Sequence, residues 1–169
     1  ALEQEHIFRK TWLFAAHLDE VPEPGSFMRW NNAGDPIIIV HGTDGVMRAF
    51  YNTCRHRGAP VVTEEKGCAR RLVCPYHAWT FSVDGKLIAA PGMKESEVDM
   101  KDSRMKKLHS RIWRGWVFVN FAENPVPFEE YIAPMEDKLW WFKSDQCKVA
   151  RKAVIDVKCN WKFLVENLI

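Results

Sequence analysis

Short runs rich in β-branched and aromatic residues, separated by turn residues, dominate the chain up to Phe121. Runs of this length and composition are typical of strands. Two pairs, Asp44-Gly45 and Asp84-Gly85, lie between neighbouring runs and predict tight hairpin turns, because glycine readily takes the positive φ that such turns need. We predict a mainly β fold, an antiparallel sandwich or barrel. Its strands are predicted at Phe27–Trp30, Pro36–His41, Val46–Tyr51, Arg71–Val73, Thr80–Val83, Lys86–Ala89, Lys107–Trp113 and Trp116–Phe121.

Helical patterns lie toward the two ends of the chain. Residues 2–14 place their large apolar side chains mainly on one side of a helix, and the turn-forming segment Val21–Gly25 ends it. After the last predicted strand, repeated prolines predict a short helix and a linker, followed by a return strand over Lys148–Val157. Asn160–Ile169 has the pattern of a helix that is cut off before its end.

The stretch Met93–Lys107 mixes acidic and basic residues without an apolar period. Such a pattern predicts an exposed excursion from the β fold. A docking surface for a charged partner is the second interpretation.

The composition is that of a globular domain, with 47% hydrophobic and 27% charged residues in a chain of 169. A net charge of +2 disfavours nucleic-acid binding, because phosphate recognition depends on a local excess of Lys and Arg. The longest apolar run is strand-sized, so we expect a soluble protein that does not span a membrane. The chain starts at Ala1 and has its first methionine at Met28, and we therefore expect a part of a longer polypeptide.

Five cysteines, an odd number, argue against a disulfide framework and for a reducing compartment, which we expect to be the cytoplasm. Two of them precede a histidine at short range, in Cys54-Arg55-His56 and in Cys74-Pro75-Tyr76-His77. The other three, Cys68, Cys147 and Cys159, are expected to be small and mostly buried residues.

These two cysteine–histidine pairs lie in loops between predicted strands and can bind metal in two ways. One zinc ion would take all four ligands tetrahedrally, although the order Cys-His-Cys-His departs from that of the usual zinc fingers. The alternative is a two-iron, two-sulfide cluster with both thiolates on one iron and both imidazoles on the other. Replacing two thiolates by neutral imidazoles removes negative charge, which raises the reduction potential to about −150 to +300 mV from about −400 mV.

The motifs Cys54–Gly58 and Cys74–Trp79 resemble those of the Rieske non-haem iron oxygenases, in particular of their large (alpha) subunits. The Rieske proteins of respiratory chains carry an additional cysteine in each loop, where this chain has Ala59 and Tyr76. A second motif, Cys159–Asn167, resembles the Asn-Trp-Lys…Glu-Asn helix that begins the catalytic domain of the alpha subunits.

The resemblance implies a Rieske-type [2Fe-2S] cluster with Cys54 and Cys74 on the buried iron and His56 and His77 on the more exposed iron. It also implies that the His77 ring contacts an aspartate of a neighbouring subunit, which would make a trimer necessary for electron transfer.

Other residues are placed near metal by the resemblance. Arg57, Tyr76 and Trp79 are expected beside the cluster, where they would hydrogen-bond or shield it from water, and for Trp79 ordinary core packing is an equal alternative. Asn167 is expected close to a mononuclear ferrous ion, whose ligands, an aspartate and two histidines, are expected after Ile169.

The function implied is that of an electron-accepting domain in an oxygenase. Electrons from NAD(P)H would arrive through a reductase, with or without a ferredoxin, and the mononuclear iron would use them with O2 to hydroxylate or cis-dihydroxylate an aromatic compound. A Rieske-type ferredoxin without oxygenase activity is the alternative, and a structural zinc domain is a third hypothesis. The oligomer would be a homotrimer or an alpha3-beta3 assembly.

We predict four segments: an N-terminal helix and first strand (1–35), the Rieske domain (36–122), a linker and return strand (123–158) and the first helix of an α+β catalytic domain (159–169).

Overall fold

Ten strands in two antiparallel sheets make up most of the regular structure in the described part of the chain. The computed structural model describes residues 2–31, 34–94 and 97–168, without the side chain of Leu168. The strands are β1 (Leu13–His17), β2 (Ser26–Trp30), β3 (Ile37–His41), β4 (Met47–Tyr51), β5 (Lys66–Cys68), β6 (Arg71–Val73), β7 (Thr80–Ser82), β8 (Leu87–Ala89), β9 (Lys107–Trp113) and β10 (Trp116–Asn120).

The larger sheet has the order β1-β10-β9-β4-β3-β2-β5, and β6-β7-β8 form the smaller one. Each of the eight strands predicted up to Phe121 is present, with each end within one residue of the prediction. Both Asp-Gly turns are also confirmed: they join β3 to β4 and β7 to β8, with positive φ at Gly45 and Gly85. The mainly β, antiparallel fold predicted from the sequence is therefore confirmed.

The inner strand β3 is buried on both faces, because its side chains alternate between two cores. Ile37 and Ile39 face a core that also contains β10 and β1. Ile38 and Val40 face a second core that contains the three-stranded sheet. Cys54 and Cys74 belong to this second core, so the loops that carry them are supported by packed apolar side chains.

The helix predicted over residues 2–14 is shorter than expected. Its helical part is short and ends in a π-helical turn, Gln4–Phe8, and residues 13–17 form β1, which pairs with β10 through Leu13 and Val119. The prediction of a helix up to residue 14 is thus wrong, because backbone pairing with a strand far along the chain outweighs the local helical spacing. The predicted short helix after residue 121 is α1 (Phe128–Leu139), and α2 (Trp161–Leu168) is the predicted last helix.

Two further predictions are wrong. Lys148–Val157 is exposed along its length and is not assigned to a strand, since no described strand pairs with it. Cys68, Cys147 and Cys159 are exposed instead of buried.

The predicted excursion 93–107 lies partly outside the described residues, at positions 95 and 96. Its described part is mostly exposed, but Met105 is buried in the core that contains Cys54 and Cys74 and donates its N–H to the carbonyl of Gly85. Positions 1, 32, 33 and 169 of the predicted segments are also outside the described residues. Within the described ranges, no helix has both the length and the apolar character needed to cross a membrane.

Candidate metal centre

The first loop leaves β4 and turns at Cys54. The N–H of Gly58 donates to the carbonyl of Cys54 (2.9 Å), and the N–H of Cys54 donates to the carbonyl of Ala59 (2.8 Å). Gly58 has φ +75°, a left-handed conformation that glycine takes without strain. The hydrogen bond from Gly58 closes the turn two residues after His56, so Cys54 and His56 lie on one short, hydrogen-bonded loop.

The second loop, between β6 and β7, repeats this bonding. The N–H of Ala78 donates to the carbonyl of Cys74 (3.0 Å), and the N–H of Cys74 donates to the carbonyl of Trp79 (2.9 Å). Ala78 takes the place of Gly58, also with positive φ, +55°. The two loops therefore share one backbone design in which a cysteine begins the turn, although their Cys-to-His spacings differ by one residue.

The two cysteine side chains form the buried side of the site. Cys54 is 3% exposed and Cys74 is 2% exposed, and the Cys74 thiol is near enough to affect the pKa of the Cys54 thiol. Burial raises the pKa of the Cys54 thiol and the Cys74 thiol adds to the increase, while the backbone amides of His56 and Arg57 oppose it. Amides directed at a sulfur favour its thiolate form, which is the form that binds metal.

The two histidine rings form the more exposed side. The ring centroids of His56 and His77 are 4.7 Å apart, and Tyr76 packs on His77 at 3.8 Å. Partial burial lowers the pKa of His56, and the neighbouring His77 and Arg57 charges lower it further, so the neutral imidazole, the form that binds metal, is favoured.

Two buried nitrogen atoms at this site have no hydrogen-bond partner among the described residues: Nδ1 of His56 and Nε1 of Trp79. Buried polar atoms are nearly always paired, and an unpaired atom calls for a ligand or another explanation. The indole of Trp79 is stacked on the His56 ring, with centroids 4.9 Å apart. The donor set therefore fits a metal–sulfide cluster: a thiol pair on one side, an imidazole pair on the other, and an unpaired ring nitrogen on His56.

A single-ion site has less support from the geometry. Across residues 2–31, 34–94 and 97–168, no three Cys, His, Asp or Glu side chains are grouped as the ligands of one metal ion. A two-iron cluster requires only that the ligands converge in pairs, one pair for each iron.

The structure thus brings together six of the seven residues predicted at or beside the metal: Cys54, His56, Cys74, Tyr76, His77 and Trp79. The Arg57 side chain is exposed and lowers the pKa of His56 through its charge, while its backbone amide acts on Cys54. Asn167 lies exposed on α2.

Asn52 is a supporting residue that the sequence analysis did not find. It is 2% exposed, and its side-chain oxygen accepts the N–H groups of Val61 and Val62 at 3.0 and 2.9 Å. Its side-chain amide donates to the carbonyl of Val62 at 2.8 Å. One amide side chain thus closes the base of the first loop. A lone asparagine before a cysteine gives no recognisable sequence signal for this role.

A β fold with two such loops defines the class of proteins that hold an iron–sulfur cluster between paired cysteines and histidines. A match to the family "Rieske [2Fe-2S] domain" covers residues 11–109, and the chain belongs to this family. That match includes both loops and most of the larger sheet.

Similar proteins are oxygenase subunits. The chain is 34% identical to the glycine betaine monooxygenase oxygenase subunit of Pseudomonas aeruginosa, over 98% of this chain and 39% of that protein. It is 30% identical to the benzene 1,2-dioxygenase subunit alpha of Pseudomonas putida, over 98% of this chain and 38% of that protein. Among solved structures, a quaternary ammonium Rieske monooxygenase superposes with a TM-score of 0.90 at 36% identity, over 98% of this chain and 49% of that one.

The chain thus spans less than half the length of these relatives. The similarity extends through α2, beyond the matched Rieske domain. This agrees with the resemblance of the motif Cys159–Asn167 to oxygenase alpha subunits.

Proposed function

We propose that this chain is the electron-accepting part of a Rieske oxygenase alpha subunit, with Cys54 and Cys74 on one iron of a [2Fe-2S] cluster and His56 and His77 on the other. The observation that carries the proposal is the convergence of a buried thiol pair and a more exposed imidazole pair on two loops of the same backbone design. When bound, a cluster of this type accepts and donates one electron at a relatively high potential.

The protein contributes an asymmetric environment. Buried cysteines keep water from one side of the site, and Trp79 covers His56 from within the core. His77 is half-buried, and its second ring nitrogen would bind a carboxylate of a neighbouring subunit. Such a hydrogen bond would orient the ring and provide a route for the electron, which is the reason to propose a trimer.

The remainder of the reaction is proposed from the oxygenase relatives. A mononuclear iron in the part of the polypeptide after α2 would use the electrons to activate O2, and Asn167 would lie near it. The division into a Rieske domain at 36–122 and a catalytic domain starting at 159 belongs to this proposal, and so does the cytoplasmic location.

The electron donor is proposed to be an NAD(P)H-dependent reductase, directly or through a ferredoxin. A cleft of about 480 Å³ beside the Cys54 loop is lined by Arg9, Arg55 and Lys106, against one carboxylate, Asp35. This excess of positive charge next to the site suits a donor with an acidic surface, because complementary charge speeds association. Arg55→Glu should slow reduction of the cluster by the donor at low salt, whereas the exposed Arg151→Glu should not.

The substrate class favoured by the similarities is a quaternary ammonium compound. Relatives named for glycine betaine or carnitine are 30–36% identical to this chain. The aromatic substrate expected from the sequence is the second candidate, supported by the 30% identity to the benzene dioxygenase subunit. Product formation from glycine betaine and from benzene by the intact protein with its reductase discriminates between them.

The cluster is tested by metal and sulfide analysis with visible and electron paramagnetic resonance spectroscopy. We expect two irons and two sulfides per chain, and a colourless protein with one zinc would overturn the proposal. His77→Ala and Cys54→Ser should abolish the spectrum. The matched controls His109→Ala and Cys68→Ser, both at exposed positions outside the loops, should retain it.

The ferredoxin alternative is tested separately. A carrier would become reduced and reoxidised without forming an oxygenated product, and its coding sequence would stop soon after Ile169. The oxygenase proposal instead expects an aspartate and two histidines in the sequence that follows, and substrate-dependent consumption of O2.

A further inference from the structure

Helix α2 is attached to the front of the chain by the carboxylate of Glu3 and by an aromatic contact. Glu3 accepts a hydrogen bond from Nε1 of Trp161 on its Oε2 atom at 2.9 Å. Its other oxygen, Oε1, forms an ion pair with Nζ of Lys162. The ring of Phe8, from the N-terminal helical turn, meets the Trp161 indole edge to face, with centroids 5.2 Å apart.

Asn160, which precedes Trp161 and Lys162, begins helix α2. The side-chain oxygen of Asn160 accepts the N–H of Lys162 at 3.1 Å, and its carbonyl accepts the N–H of Phe163 at 3.0 Å. This is the arrangement of a helix N-cap. Three consecutive residues therefore have separate tasks: Asn160 starts α2, and Trp161 and Lys162 bind the two oxygens of Glu3.

The residues of α2 that follow Lys162 pack little against the β core. Phe163 is 66% exposed, and Leu164 and Val165 are each more than 40% exposed. The two hydrogen bonds from Lys162 and Trp161, in that order of effect, lower the pKa of Glu3, so the carboxylate is charged at neutral pH.

We propose that Glu3 is a positioning residue that sets the location and the axial rotation of α2. A carboxylate that binds two adjacent residues of a helix through both oxygens fixes rotation as well as distance. Asn167 lies six residues after Trp161, about 9 Å along the helix axis, and its direction depends on that rotation. The importance of Asn167 rests on the proposed function, whereas the placement of α2 by Glu3 does not.

The test is hydrogen exchange of the peptide spanning 159–168 in the intact protein. Glu3→Ala should speed exchange of the α2 amides by about tenfold or more, since hydrogen bonds to a charged group are among the stronger ones. Glu3→Gln, which keeps an acceptor but loses the charge, should have a smaller effect. The matched control is Glu5→Gln, which removes the same charge two residues away at an exposed position.

Conservative variants separate positioning from general destabilisation. Lys162→Arg keeps a charged donor and should retain slow exchange, whereas Lys162→Met should not. Trp161→Phe keeps the ring contact with Phe8 but loses the N–H, so its effect should not add to that of Glu3→Ala, because the two variants remove the same hydrogen bond.

Unchanged α2 exchange in Glu3→Ala, an equal change in Glu5→Gln, or full additivity with Trp161→Phe would overturn the proposal. Exchange in β3 and β4 and the visible spectrum of the cluster should be unchanged in all these variants. Hydrogen exchange and the visible spectrum do not depend on turnover. The test of Glu3 is therefore independent of the test of oxygenase activity. A protein without iron or oxygenase activity could still show the Glu3 effect.

Discussion

The indole ring of Trp79 lies nearly parallel to the imidazole ring of His56, with 9° between the ring planes. The two residues come from different loops, and Trp79 is only 4% exposed. The contact therefore ties a ring of the first loop to the last residue of the second. Each loop is a short turn that could not hold its histidine by local bonds alone, and the stacked pair links them through the core.

Truncating this contact should destabilise the domain and the site together. Trp79→Ala should lower the free energy of unfolding by about 3–5 kcal/mol, the usual cost of removing a large buried aromatic. Trp79→Phe should cost less and keep the ring on His56. Denaturant unfolding measures the stability, and the visible spectrum reports the cluster. If Trp79→Ala were neutral for stability, the packing role would be wrong.

Gly58 and Ala78 occupy the same turn position in the two loops. Replacing Gly58 by alanine and Ala78 by glycine should therefore have opposite effects on stability. Gly58→Ala places a Cβ at φ +75° in open space, so only the backbone conformation penalises it, by about 1 kcal/mol. Ala78→Gly relieves the same conformation at φ +55° and should be neutral or stabilising by up to about 1 kcal/mol, because added freedom of the unfolded chain offsets part of the gain.

Thermal unfolding of the two variants checks this pair of predictions. Gly45→Ala, also at positive φ with open space around it but in a distant hairpin, is the control. It should cost as much as Gly58→Ala without changing the spectrum. A destabilising Ala78→Gly would show that the two loops are not equivalent.

Removing the side chain that closes the first loop should be costly. Asn52→Ala leaves the N–H groups of Val61 and Val62 and the carbonyl of Val62 without their partner, and both valines are buried. Each buried unpaired group costs about 1–3 kcal/mol, so a total loss of about 3 kcal/mol or more is expected in urea unfolding. Asn124→Ala, at an exposed position, should change stability by less than about 0.5 kcal/mol.

The carboxylate of Glu20 predicts a dependence of stability on pH. Its burial alone would raise the pKa, but hydrogen bonds from Lys152, the His17 backbone and Lys66 outweigh this and hold the pKa below its ordinary value. The group therefore stabilises the fold above the ordinary glutamate pKa, and this contribution is lost as the pH falls through the lower folded-state value.

Glu20→Gln should accordingly cost about 1–2 kcal/mol at pH 7, and the difference from the unsubstituted protein should shrink in acid. Unfolding in urea at several pH values measures both quantities. Glu23→Gln, an exposed neighbour, should show neither effect. A pH-independent difference would mean that the charge of Glu20 is not what stabilises this region.

The two strands that the sequence pattern does not predict, β1 and β5, depend on pairing with strands that are distant in the chain. β1 contains apolar residues whose spacing suits a helix, yet it is extended because Leu13 and Val119 pair across the sheet. β5 has the sequence Lys-Gly-Cys, which carries no strand signal, and forms because β2 lies beside it. Lys148–Val157 has strand composition and stays irregular, since a strand needs a hydrogen-bonding neighbour that no described segment provides.

The amino-acid sequence alone specifies the eight recognisable strands, the two hairpin turns and the ligand motifs, because these depend on residues close together in the chain. The contacts that support the loops and α2 form only in the folded protein. The stacking of Trp79 on His56, the closure of the first loop by Asn52 and the attachment of α2 by Glu3 join residues 23, 9–10 and 158–159 positions apart. Local patterns carry no information about such pairs, since it is the packing of the sheets that brings them into contact.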